Sequence, residues 1–111
     1  MLATESHGRV TVIRLTEGKL NAANAGAFRL ATAKLVEDGA TCLVVDLAKV
    51  SFVDSSGLGA LVGLLKRVGS AGDLAVADLQ PAVRRMFELT RMDRVFRVFP
   101  DAASGVAALA G

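Results

Sequence analysis

Apolar and polar residues along this chain alternate in short blocks. Arg9–Thr16 (RVTVIRLT) is rich in β-branched residues and predicts a strand. Val10 and Val12 share one of its faces and Ile13 and Leu15 the other, so it carries a bulge or is covered in part on both sides. Glu17–Asn24, with Gly18 and Asn21, reads as a turn-like connection. Asn24 is placed to N-cap a helix running to about Asp38, with Ala27, Leu30, Ala31 and Leu35 on its apolar face and Gly39 as its stop. Cys42–Leu47 (CLVVDL) is an apolar run of strand length, suited to a strand covered on both faces. After Ala48–Ser56 comes a second amphipathic helix with Leu58, Leu61, Val62, Leu65 and Val68 on one stripe, ended by Gly69 and Gly72. Leu74–Leu79 (LAVADL) predicts another buried strand. Gln80-Pro81 opens a third helix, with proline in the first turn where its missing N–H costs nothing, and Val83, Met86 and Phe87 as its apolar face. Val95–Phe99 (VFRVF) predicts the last strand, and Asp101 caps a final Ala-rich helix whose core stripe runs through Val106 and Leu109.

The order is β-α-β-α-β-α-β-α, with room for an extra strand before Arg9. Helices alternating with short apolar strands predict an α/β domain: a small, mostly parallel or mixed sheet with about four helices. Its 111 residues fit a single domain spanning 1–111. A hydrophobic fraction of 52% against 22% charged residues is enough to bury a core, which excludes intrinsic disorder.

Charge and aromatic content narrow the function. Thirteen Lys and Arg against eleven Asp and Glu leave a formal +2, too little to attract a polyanion, and without Trp or Tyr there is no base-stacking platform. Nucleic acid is therefore not an expected partner. A single cysteine, Cys42, and a single histidine, His7, supply neither a disulfide nor a Cys/His zinc site; Cys42 reads as a buried strand residue and His7 as an exposed one. The longest uncharged stretch, Ser55–Leu65, is too short to span a membrane, and Met1–Val10 has no apolar segment of a signal peptide. A cytoplasmic location without direct membrane binding is the expectation. Arg84, Arg85, Arg91, Arg94 and Arg97 are interleaved with Glu88, Asp93 and Asp101, which reads as a solvated face.

One segment stands apart, Phe52-Val-Asp-Ser-Ser-Gly-Leu-Gly59, between a strand and a helix. A nucleophile elbow requires glycine two positions either side of the serine, and neither Ser55 nor Ser56 has that. A P-loop requires Gly-Lys-[Ser/Thr], but Gly63 is followed by Leu64. The dinucleotide fingerprint also fails, because Gly57 and Gly59 are followed by Val62, with Gly63 one place late. A phosphoacceptor Asp54 of the response-regulator kind would need an acidic pair after the first strand and a late lysine. Leu15–Lys19 offers only Glu17, and no lysine occurs beyond Lys66. Two readings remain. A serine here is an ordinary helix cap, or it is a phosphoacceptor whose added charge the helix N-terminus tolerates.

CLVVDL at 42–47, VSFVDSSGLG at 50–59 and LVGLLKR at 61–67 together resemble the STAS domain of bacterial anti-sigma factor antagonists. GKLNAANA at 18–25 is similar to that family's loop before the first helix, and PAVRRMFELT at 81–90 to its third helix. The resemblance covers roughly Val10 to Phe99 in order and spacing. It implies a binding module and not an enzyme, with no cofactor of its own. The unphosphorylated antagonist binds an anti-sigma factor that is also a serine kinase of the histidine-kinase-like ATPase fold, and so frees the sigma factor. The kinase phosphorylates the serine after the motif aspartate, which maps to Ser55, and the complex dissociates; a PP2C-type phosphatase reverses the step. Asp54 would orient the loop, and Ser56, Gly57, Leu58 and Gly59 would form a partner-facing helix start. Asn21, where many members carry aspartate, falls in the loop near the phosphoacceptor. Related domains serve instead as constitutive scaffolds, in stress-signalling assemblies, on anion transporters or beside lipid-transport ATPases.

Overall fold

The computed structural model describes residues 1–110, and their backbone bears out the α/β expectation. Leu2–His7 (β1) and Val10–Leu15 (β2) form an antiparallel hairpin joined by Gly8-Arg9, with Gly8 at a φ of +63° that suits a two-residue loop. Next come Lys19–Leu20 (β3), Ala25–Glu37 (α1), Cys42–Asp46 (β4), Phe52–Val53 (β5) and Ser55–Val68 (α2). Asp73–Ala77 (β6), Pro81–Leu89 (α3), Arg97–Phe99 (β7) and Ala102–Ala110 (α4) complete the described chain. The main sheet has the order β1-β2-β4-β6-β7, and every pairing except β1–β2 is parallel.

Both sheet faces are covered, which settles the pattern in β2 without a bulge. Ile13 and Leu15 join Leu43, Val45, Leu74 and Val76 beneath α1, α2 and α3, with Phe28, Leu61 and Phe87 fully buried above them. Val10 and Val12 face the other way, with Cys42, Val44, Ala75 and Ala77, against Leu109 of α4. The β1–β2 register runs unbroken from Leu2↔Leu15 to His7↔Val10. Cys42 is buried and unpaired, and His7 is exposed beside Glu5. Burial explains the run of five apolar or paired residues in β4, including Asp46, whose carboxylate accepts from Arg14 Nε (3.1 Å) and Ala48 N (2.9 Å).

Four local expectations are corrected. The buried face of α1 is Ala25, Phe28 and Thr32, with Leu35 partly covered, not the stripe through Ala27 and Leu30; Leu30 is 77% exposed. Thr32 hides its polarity by donating to the Phe28 carbonyl (2.8 Å), so a hydroxyl sits on the core face at no unsatisfied cost. Asn24 stands at the N-cap position of α1 but makes no capping bond; its amide turns back to the loop instead. On α2 the buried positions are Gly57, Ala60, Leu61, Leu64 and Val68, while Leu58, Val62 and Leu65 are half-buried at the rim. The last strand starts at Arg97: Val95 is half-exposed in the turn before it, and Phe96 packs on Phe87 with ring centroids 5.7 Å apart.

Candidate functional site

The segment that stood apart in the sequence lies at the C-terminal edge of the sheet, where two connections meet. β3 and β5 pair in parallel as a separate two-residue ladder, Lys19↔Phe52 and Leu20↔Val53. Ser51 N extends the ladder by donating to Gly18 O (2.8 Å), and Asp54 N does so by donating to Leu20 O (3.2 Å). Two-residue strands have no periodicity, so only the distant pairing partner reveals them. The ladder holds the 17–24 loop and the start of α2 side by side.

Asp54 locks that junction. It is the N-cap of α2, with extended backbone, and its Oδ1 accepts from Gly57 N at 2.8 Å. Its second oxygen accepts from Ala22 N at 3.0 Å, across to the 17–24 loop. One carboxylate thus satisfies a helix end and pins the facing loop. Asn21 organises the loop from within: its Oδ1 accepts from Ala23 N (3.1 Å), its N donates to Asn24 Oδ1 (2.9 Å), and its carbonyl receives Ala25 N (2.8 Å). Asn24 donates onward to Glu17 Oε2 (2.9 Å) and Lys19 O (2.8 Å).

With the cap supplied by Asp54, Ser55 and Ser56 fall in the first turn of α2, both exposed. The Ser55 hydroxyl takes part in no hydrogen bond among the described residues, so the serine itself is not the cap. Leu58 and Gly59 are half-buried beside it.

Gly57 has a different task from the one its place in the motif suggested. It is buried, and a Cβ there would stand 2.2 Å from Leu20 O and 2.8 Å from Leu20 C. The missing side chain lets α2 approach β3 and does not open a path for another protein. Gly59 is likewise filled from within: a Cβ would lie 3.3 Å from Arg29 Nη2. The structure therefore brings Asn21, Asp54, Ser55 and Ser56 together at one edge and leaves Gly57 beneath them. Arg29, Lys66 and Met92, which sequence reading passed over, join Ser55, Leu58, Gly59 and Val62 in lining a shallow groove of about 590 Å³. The signal for Arg29 was the Gly59–Gly63 spacing on α2, which marks close approach by a neighbouring element. The arginines of 84–97 are all exposed, as a solvated face requires, and Arg97 lies near Asp73 and over the Phe99 ring.

A sheet covered on both faces, with a capped serine motif at its edge, is the arrangement of a known domain family. The STAS domain family model fits residues 1–105, and the chain belongs to that family. Among its relatives is the anti-sigma-F factor antagonist RsfB of Mycobacterium tuberculosis, 32% identical over 103 residues, covering 90% of this chain and 84% of that protein. A crystal structure of an anti-sigma factor antagonist from Mycobacterium paratuberculosis superposes with a TM-score of 0.91 at 29% identity, over 100% of this chain and 94% of the other. The Bacillus cell fate determinant SpoIIAA in its phosphorylated form shares the fold, with a TM-score of 0.74 at 22% identity, covering 97% and 98% of the two chains. No helix among the described residues is long and apolar enough to cross a membrane.

Proposed function

We propose that this protein is an anti-sigma factor antagonist that works by partner switching at Ser55. Its partner is an anti-sigma factor with serine-kinase activity and the histidine-kinase-like ATPase fold. The observation that carries the reading is the free Ser55 hydroxyl: exposed, on the first turn of α2, and excused from capping by Asp54. The name borne by relatives such as RsfB supports the antagonist role, and the phosphorylated form of SpoIIAA supports a phosphate-controlled one.

The chain is a binding module, and ATP and metal belong to its partners. Ser55 Oγ takes the γ-phosphoryl group from ATP on the kinase, with ADP leaving and the hydroxyl proton passing to the kinase's base. A PP2C-type phosphatase hydrolyses the ester and restores the hydroxyl. The phosphate adds about −1.5 to −2 charges beside Asp54. Desolvating that charge against a surface fitted to a neutral hydroxyl costs several kcal/mol, and about 1.4 kcal/mol is tenfold in affinity, so binding falls roughly a hundred-fold or more. Asn21 and Asp54 hold the facing loop in register, and Ser56, Leu58 and Gly59 contribute contact surface around Ser55.

Affinity capture from host lysate with wild type, Ser55→Ala and Ser55→Asp as baits tests this. An ATPase-fold kinase retained by Ser55→Ala and lost by Ser55→Asp is the expected result. The same transporter subunit or stress-signalling protein held by all three baits would instead identify a constitutive scaffold.

A further inference from the structure

Arg29, on the exposed side of α1, is a cation in search of an anion. Its guanidinium lies across α2 in a trough made by two glycines: a Cβ on Gly59 would be 3.3 Å from Nη2, and one on Gly63 would be 2.9 Å from Nη1. The ion pairs among the described residues use Arg14, Lys34, Arg97 and His7, and none uses Arg29. A guanidinium fork is suited to bidentate pairing with carboxylate or phosphate oxygens. Here it lies against α2, and no carboxylate among the described residues is within ion-pair distance of it.

What the chain does place nearby is Ser55. It lines the same groove as Arg29 and lies four residues before Gly59, one turn or about 6 Å along the helix axis. Lys66, the other cation lining the groove, is eleven residues from Ser55 along α2, about 16 Å by the same rise. The Arg29 guanidinium spans Gly59 and Gly63, about 6 to 12 Å from Ser55 along the axis. Its planar fork pairs bidentately where the Lys66 ammonium does not, which favours Arg29 as the group that meets a phosphate on Ser55.

Resting on the phosphorylation reading above, we infer that Arg29 takes up the phosphate of phosphorylated Ser55 in an intramolecular bidentate pair across the α1–α2 groove. The pair makes the switch act twice. It places a dianion at the start of α2, and it withdraws from the groove a guanidinium that is otherwise open to a partner's carboxylate.

The test installs phosphoserine at position 55 during translation, so no native kinase is needed. The second ionisation of the phosphate is then followed by ³¹P NMR over pH 4–8 in wild type, Arg29→Gln, Arg29→Lys and Lys66→Gln. An adjacent cation favours the dianion, so wild type should titrate lower than Arg29→Gln by at least about half a unit. Arg29→Lys should keep part of that difference, and Lys66→Gln should titrate close to wild type. Equal titration in wild type and Arg29→Gln, or a larger change in Lys66→Gln than in Arg29→Gln, overturns the assignment. The NMR result does not depend on whether the host phosphorylates Ser55, whereas the lysate capture does, so the two readings fail separately.

Discussion

Replacing Gly57 with alanine should destabilise the domain even though alanine is the better helix former. At an open helical site the exchange stabilises by about 0.5–1 kcal/mol. At Gly57 the new methyl group would stand 2.2 Å from the Leu20 carbonyl oxygen, in rigid backbone, so α2 and β3 must separate by more than an ångström to reach ordinary contact. Such overpacking costs about 1–3 kcal/mol. The separation also stretches the Asp54 N to Leu20 O bond, already 3.2 Å, which adds about 1 kcal/mol. After the propensity gain the net loss is about 2 kcal/mol, or roughly 10 °C in Tm for a domain of this size. Gly26→Ala in α1 is the control: nothing lies within 4 Å of a Cβ there, and it should stabilise by about 0.5 kcal/mol. Urea unfolding followed by far-UV circular dichroism reads both, since the chain has neither Trp nor Tyr to report by fluorescence. If Gly57→Ala matches or exceeds wild type in stability, the close approach of α2 to β3 is wrong, and with it the placement of Ser55 beside the 17–24 loop.

Asp54→Ala removes the acceptor for two backbone N–H groups, Gly57 and Ala22, and should cost about 2 kcal/mol in urea unfolding, whereas Ser55→Ala should change stability by less than about 0.5 kcal/mol. Phe28→Ala should cost about 3–5 kcal/mol in the same assay, and Leu30→Ala, at a site 77% exposed, less than about 0.5; the reverse order would restore the helix face that periodicity suggested. Backbone and side-chain hydrogen bonds from Ser104 hold the Asp101 carboxyl below its usual 3.8. Its support for α4 is therefore present above that value and lost as pH falls through the lowered one. Acid titrations of stability should show a smaller drop below about pH 4 for Asp101→Ala than for wild type.

What was legible in the sequence was what local chemistry dictates. Pro81 opens α3 and Asp101 accepts from Ser104 N at 2.8 Å at the start of α4, because caps are decided by a few neighbouring residues. The buried runs of β4 and β6 were visible because a strand covered on both faces leaves few polar positions. The motif at 54–59 stood out for its small polar residues between strand and helix. Contacts across the sequence were less visible. Thr32 masquerades as a surface residue because its hydroxyl is satisfied by its own helix, and that rotated the assumed face of α1. Gly57 read as part of a partner-facing helix start and is a packing requirement set by Leu20, 37 residues away in sequence. The Gly59–Gly63 spacing marked a close approach on α2, but only the fold shows that Arg29, 30 residues or more away in sequence, makes it.

On the function proposed above, phosphate on Ser55 breaks a complex that the free hydroxyl permits. The most direct measurement incubates the kinase captured by Ser55→Ala with wild type and Mg-ATP, maps the phosphate by peptide mass spectrometry, and titrates kinase binding before and after. Phosphate on Ser55 alone and a loss of affinity of about a hundred-fold or more are expected. Phosphate on another residue, or unchanged affinity once Ser55 carries it, would rule out a switch at Ser55.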